Sequence, residues 1–203
     1  MPTITDITER RGLVEISVDG APALRVRRAH YEKCPLAAGD EIDLDAYVDR
    51  VAAVQFADGY EAALSALDYS NRSAGEVASA LRRKGYVAPC VQAVVQRLTE
   101  NRILDDRRYA QRLAELQSKK PVGVYAFRRK LRAKGISEAD AEEALSAFDD
   151  DQQQSAALAA AQGLYRRYAE LPPREGRAKL SQALARRGFG WDAIDSALEQ
   201  LFD

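Results

Sequence analysis

The side chains of this chain best suited to chemistry are cationic, and they come in clusters. Arg82-Arg83-Lys84, Arg107-Arg108 and Arg128-Arg129-Lys130 with Arg132 and Lys134 put ten basic residues into one stretch of the sequence. Guanidinium and ammonium groups donate hydrogen bonds and charge to phosphates or carboxylates, so the chemistry this stretch suits is recognition of an anionic partner. The tightest charged run is Asp105-Asp106-Arg107-Arg108-Tyr109. Acidic residues belong in a first helical turn. Asp105 and Asp106 are therefore read as a helix start with Tyr109 buried, and Arg107 and Arg108 as partner contacts.

Groups for proton transfer or metal binding are scarce. His30 is the lone histidine, too few for a multi-histidine metal site, and Cys34 and Cys90 form no CxxC pair. Two well-separated cysteines read as buried and inert, in a reducing compartment. Asp149-Asp150-Asp151 lacks the alternating spacing and distal glutamate of a calcium loop, so it is read as a solvated linker. No phosphate-loop, dinucleotide-fingerprint, nucleophile-elbow or HExxH pattern occurs. The expectation is no catalytic residue, no metal and no cofactor. No run reaches the roughly 18 apolar residues of a membrane span, and no apolar core follows the first charges as in a secretory signal. A cytoplasmic protein without membrane contact is expected.

A net charge of -1 conceals a strong asymmetry. Residues 1–69 carry 7 basic and 13 acidic side chains, 70–135 carry 16 and 5, 136–163 carry none and 7, and 164–203 carry 7 and 6. A block of net +11 attracts anions locally, or forms a solvated surface whose counter-charges lie on neighbouring segments; charge alone favours neither.

These side chains need elements to hold them. Leu13–Val18 and Ala23–Arg27 are short, partly alternating β-type runs with Asp19-Gly20 between them, the signature of a tight hairpin, and Thr3–Ile7 supplies a third strand. So small a sheet needs a helix to pack on, and the stretch from Leu44, with Tyr47, Val48, Val51 and Val54 at helical spacing, provides it. Beyond about residue 60, Ala, Leu, Arg and Glu dominate and the chain reads as helix.

Three segments then align on a glycine: Val77 to Gly85-Tyr86, Phe127 to Gly135-Ile136, and Leu180 to Gly188-Phe189. Counted from each glycine, apolar residues fall at -8, -4 (Leu81, Leu131, Leu184) and +1, and again at +6 (Val91, Ala141, Ile194) and +10 (Val95, Leu145, Leu198). A helix with an i, i+4 ridge ends on a left-handed glycine after Lys84, Lys134 or Arg187, cations that suit the negative helix end. A second helix follows, started by Pro89 or capped by Ser137; Ser73-x-x-Glu76 is a capping box for the first helix of its unit. A preceding helix near 61–69, 105–118 and 153–168 completes three helices per unit, about nine in all. Such units stack to complete a core. The fold is thus mainly α, a tandem array of three-helix, helix-turn-helix-like repeats behind a small antiparallel β segment. Its expected divisions are 1–60, 61–103, 104–149 and 150–203. Trp191, after the Gly188-Phe189-Gly190 turn, is expected to pack on the core or staple a helix start.

Four elements occur in order: Ala62-Ala63-Leu64-Ser65-Ala66-Leu67 with Arg72-Ser73 and the Leu81–Tyr86 turn; Leu98 to Ala110 with Ile103-Leu104-Asp105-Asp106-Arg107-Arg108-Tyr109-Ala110; Leu131 to Ser137; and Arg186-Arg187-Gly188-Phe189. Together they resemble the RecX family, bacterial regulators of the RecA recombinase, over roughly residues 61–203. Asn101 stands where such proteins often have glycine, and asparagine also visits left-handed backbone. The resemblance implies a non-enzymatic monomer that binds the RecA–DNA filament in its helical groove. It would suppress RecA's ATPase and strand exchange, within DNA repair, recombination and the SOS response. Arg82, Arg83, Lys84, Arg107, Arg108, Arg128, Arg129, Lys130, Arg132 and Lys134 are read as a partner-binding strip for the filament, with direct contact to single- or double-stranded DNA admitted alongside. The alternative is a sequence-independent DNA-binding protein of helix-turn-helix type, against which an isoelectric point near 6.0 argues.

Overall fold

Residues 3–27 alternate apolar and polar side chains, and they fold as a three-stranded antiparallel sheet in the order β1 (Ile4–Arg10), β2 (Leu13–Val18), β3 (Ala21–Arg27). The computed structural model describes residues 1–118 and 120–202. The chain divides into two units, Met1–Asp105 and Asp106–Asp203. In the first unit the hairpin at Asp19-Gly20 forms as expected, with both residues at positive φ (50° and 82°). The other hairpin turns on Arg11-Gly12 (φ 53° and 75°). An arginine there costs about 1 kcal/mol, which is why its sequence does not announce a turn.

One face of the sheet, with Ile4, Val14, Ile16, Val18 and Val26, shares a core with Tyr47 and Val51. A short helix, α1 (Arg28–Tyr31), precedes the 26-residue α2 (Leu44–Tyr69), whose N-terminus is capped by the Asp43 carboxylate accepting the Ala46 N–H at 3.1 Å. The helix expected near 61–69 is the C-terminal part of α2, so the sheet and the first repeat share one helix. Gly59 does not interrupt it. A side chain there would meet the Tyr86 ring and Cys90 Sγ at 3.3 Å, so the glycine lets α2 approach α4 closely. α3 (Ala74–Arg83) and α4 (Ala88–Glu100) complete the unit, α3 starting on the expected Ser73/Glu76 capping box and α4 carrying proline in its first turn.

The second unit holds α5 (Asp106–Gln117), α6 (Val124–Ala133), α7 (Glu138–Leu145), α8 (Asp150–Tyr165), α9 (Pro173–Arg186) and α10 (Trp191–Phe202). Two cores serve it, one around Phe127, Leu131, Ile136 and Leu145, the other around Leu180, Leu184, Phe189, Ile194 and Leu198. The aligned positions -8, -4, +1 and +6 are buried in all three repeats, and only Val95 of the +10 set is half-buried. Gly85, Gly135 and Gly188 all lie at positive φ, and after each the next N–H reaches back five residues, as Tyr86 to Leu81 C=O at 3.2 Å. Asp149-Asp150-Asp151 is not a linker. Asp149 caps α8, accepting the Gln152 N–H at 2.6 Å, and the other two sit in its first turn, where carboxylates suit the helix dipole. The left-handed residue after α4 is Arg102 (φ 57°), not Asn101.

Within the second unit, α6 meets the third glycine turn main chain to main chain. Gly123 N–H donates to Arg187 C=O (3.2 Å) and Tyr125 N–H to Gly188 C=O (3.0 Å). A Cβ on Gly123 would lie 2.1 Å from the Gly188 carbonyl, and one on Gly188 2.2 Å from the Ala126 nitrogen, so two glycines are what permit this approach.

Candidate functional site

Each glycine turn ends a helix whose apolar ridge faces inward, and the residues between the ridge positions face out. In the first unit the Ser73 cap sets where α3 starts, Val77 and Leu81 are buried, and Arg82, Arg83 and Lys84 are exposed. None of the three has an ion-pair partner among the described residues. Beside them an open groove of about 650 Å³ is lined by Arg11, Arg27, Arg83 and Lys84, with Asp58 and Glu61 on its α2 side.

The turn is held from behind by polar groups that sequence reasoning did not single out. Buried Gln55 donates to Gly85 C=O (2.9 Å) and accepts the Val87 N–H (2.8 Å), satisfying both sides of the turn. Arg27 Nη1 donates to Asp58 Oδ2 and to the Tyr86 hydroxyl, both at 2.7 Å, and the Tyr86 hydroxyl donates to the same carboxylate oxygen at 2.6 Å. His30 Nε2 lies 3.2 Å from that oxygen, while its buried Nδ1 finds no partner among the described residues. The Tyr86 hydrogen bond, with Arg27 and His30, holds Asp58 below the usual carboxylate range. Burial and that same hydrogen bond push Tyr86 up to about 12, and burial lowers the His30 pKa despite the neighbouring carboxylate. Such partners lie 28 to 59 residues apart in sequence, and no local pattern marks them.

The second repeat treats its cations differently. Arg128 pairs with Glu142 (2.6 Å) and Glu138 (3.9 Å), and Arg132 with Glu138 (3.3 Å). Arg107 pairs with Glu143 at 2.6 Å, where Gln111 also donates. Lys130 Nζ reaches Gln117 at 3.4 Å, and Lys134 Nζ lies 5.4 Å from the Tyr109 ring centre, partly covering a tyrosine that is half-buried rather than buried. Arg108 and Arg129 are exposed, Arg129 without an ion pair among the described residues. The acidic 136–163 stretch thus supplies the counter-charges for the basic α6. Counted from the glycines, the two basic clusters coincide only at -3 (Arg82, Arg132) and -1 (Lys84, Lys134). In the third repeat Arg186 and Arg187 stand at -2 and -1, exposed and without an ion pair among the described residues. Trp191, expected to pack, is 67% exposed, because Phe189, Ala193, Ile194 and Leu198 already fill that core.

Three copies of one glycine-turned helical unit, with cations on the turn of each, define a helical-repeat protein. Comparison with known proteins gives the lineage. Family models described as the first, second and third three-helix domains of RecX match residues 60–98, 105–145 and 150–198. The chain is 31% identical to the regulatory protein RecX of Bacillus licheniformis, over 98% of this chain and 78% of that one. To that of Bacillus subtilis it is 30% identical, over 99% and 78%. A crystal structure of a regulatory protein RecX superposes with a TM-score of 0.68 at 27% identity, covering 98% of this chain and all of that one. The crystal structure of RecX from Lactobacillus salivarius gives 0.65 at 28%, covering 73% and 97%. The chain belongs to the RecX family of regulatory proteins. No helix among its described residues is long and apolar enough to cross a membrane.

Proposed function

We propose that this chain binds the RecA filament assembled on DNA and inhibits its ATPase and recombination activities, acting as a monomer through its three repeats, 61–103, 104–149 and 150–203. The observation that carries this reading is the repeated glycine turn, which leaves Arg82, Arg83 and Lys84 in one repeat and Arg186 and Arg187 in another exposed without ion pairs among the described residues. A surface repeated along one chain matches a partner repeated along a polymer. Several weak contacts in one molecule reinforce each other through effective concentration, by about 10²–10⁴-fold. The ten basic residues first read as one strip then divide by role. Arg82, Arg83, Lys84 and Arg129 face the filament. Arg107, Arg108, Arg128, Lys130, Arg132 and Lys134 contribute after exchanging their present partners.

The test is RecA's DNA-dependent ATPase, titrated with this protein at substoichiometric and stoichiometric ratios. Inhibition that weakens with salt is expected. A rate unchanged at stoichiometric protein overturns the reading. Arg82, Arg83 and Lys84 replaced together by Gln should weaken inhibition more than Arg128 and Arg132 replaced by Gln, because the latter pair already spends its charge on Glu138 and Glu142.

A further inference from the structure

Trp191 is the sole tryptophan of the chain and one of its most exposed large side chains. The residue three after the turn glycine is Ala88 in the first repeat and Glu138 in the second, so the repeat itself asks for nothing large there. The core beneath is complete without the indole. Tyr125, 52% exposed, is next to it: a Cβ added to Gly190 would lie 3.5 Å from Tyr125 Cε2, so this ring lies over the residue that precedes Trp191. The main-chain joint of Gly123 and Gly188 carries Tyr125 at one end and the turn leading to Trp191 at the other, so both rings stand on rigid backbone.

The surroundings are charged rather than apolar: exposed Asp192 and Asp195 share the start of α10 with Trp191, and cations stand on the other elements. Arg129 follows Tyr125 by one turn on the same face of α6, and Arg186 and Arg187 occupy the turn itself. All three are exposed and without ion pairs among the described residues. Two exposed ring faces set among unpaired guanidinium groups match the alternation of base and phosphate along an unpaired strand. Trp, Tyr and Arg also anchor protein interfaces; what favours a strand here is the spacing of two exposed rings among cations that can each take a phosphate.

From this arrangement we infer that Tyr125 and Trp191 form a stacking platform for single-stranded nucleic acid, with Arg129, Arg186 and Arg187 holding its phosphates. The site goes beyond the RecA reading and does not depend on it.

The single tryptophan is its own reporter. The full chain, without RecA, is titrated at low salt with oligothymidylate and separately with oligouridylate, following indole fluorescence. Saturable quenching by either strand is expected, and the stronger of the two names the natural class. Duplex DNA of equal length should quench far less, because its bases are already stacked. By anisotropy of a labelled strand, Trp191→Ala should weaken binding about 5- to 150-fold and Trp191→Phe much less. Arg129→Gln and Arg187→Gln should each flatten the salt dependence by about 0.7 in the log–log slope. Circular dichroism of the variants should match the parent, since Trp191 adds little to the core. Absence of quenching by either strand overturns the site, and so does equal quenching by duplex. An indole signal that answers to RecA alone and not to the strands also overturns it, making the patch a protein anchor. RecA inhibition, assayed separately, stands or falls without reference to any of these results.

Discussion

Gly123 and Gly163 are both glycines of the second unit, and replacing each with alanine should move stability in opposite directions. Gly123 has an ordinary extended backbone (φ -75°, ψ 153°), so alanine there meets no conformational strain. It meets the Gly188 carbonyl instead. The new Cβ would start 2.1 Å away and must retreat by about 1.3 Å to reach ordinary contact at 3.4 Å. That retreat disrupts the Gly123–Arg187 and Tyr125–Gly188 hydrogen bonds, each worth about 1 kcal/mol. With the strain of overpacking, the expected loss is about 2–4 kcal/mol. Gly163 lies in α8 with nothing within 4 Å of an added Cβ. Alanine there removes backbone freedom from the unfolded chain and should add about 0.5–1 kcal/mol. Guanidinium denaturation followed by circular dichroism reads both, as midpoint shifts at unchanged slope. A Gly123→Ala protein within about 0.5 kcal/mol of the parent would refute the main-chain joint. A destabilised Gly163→Ala would refute clearance as the deciding quantity.

Gln55→Leu should cost about 2–5 kcal/mol by chemical denaturation, because it strands the buried Gly85 carbonyl and Val87 N–H at once. Arg102→Gly should instead raise the denaturation midpoint, by about 0.5–1 kcal/mol, since it relieves a left-handed arginine at the end of α4. Burial lowers the His30 pKa below its ordinary 6.5, so the unfolded chain binds that proton more readily than the folded one. The contribution of neutral His30 is complete above about pH 6.5 and is lost as pH falls through its lower folded value. Melting temperatures at pH 7 and pH 5 should differ more for the parent than for His30→Gln. Asp58, also lowered, adds a second loss only below its ordinary 3.8.

The repeat was legible because it is local. A ridge at i and i+4, a glycine and a capping serine lie within about a dozen residues, and hydrophobic burial then fixes which face turns inward. What the sequence hid was set by contacts across distance. The close approach at Gly59 depends on Tyr86 and Cys90, which lie about 30 residues further along the chain. Arg11 and Arg102 turn left-handed where pattern points to asparagine or glycine, because the neighbouring elements impose it. Asp149 reads as linker until the helix it caps is seen, and Trp191 reads as core until Phe189 and Ile194 are found to have filled the space. The basic residues were legible as a set but not in their states. Arg128 and Arg132 are neutralised by carboxylates six to fourteen residues downstream, whereas Arg82, Arg83 and Lys84 meet an uncharged α4 start and stay unpaired among the described residues.

The contact of Gly123 with Gly188 is made of main-chain atoms, and this separates two things usually inherited together. A joint packed by side chains ties its angle to their identity, so altering the surface alters the posture. Here the posture is set by two missing side chains and by one side-chain contact, Gln153 Oε1 accepting the Val124 N–H at 2.9 Å, and the flanking positions, from Lys120 and Pro121 to Arg186, Arg187 and Trp191, are at liberty to change. The second and third repeats can exchange the vocabulary they present to a partner while the spacing between their surfaces stays constant, like interchangeable heads on a fixed frame. A designer could recode those flanks for a different polymer and keep the pitch.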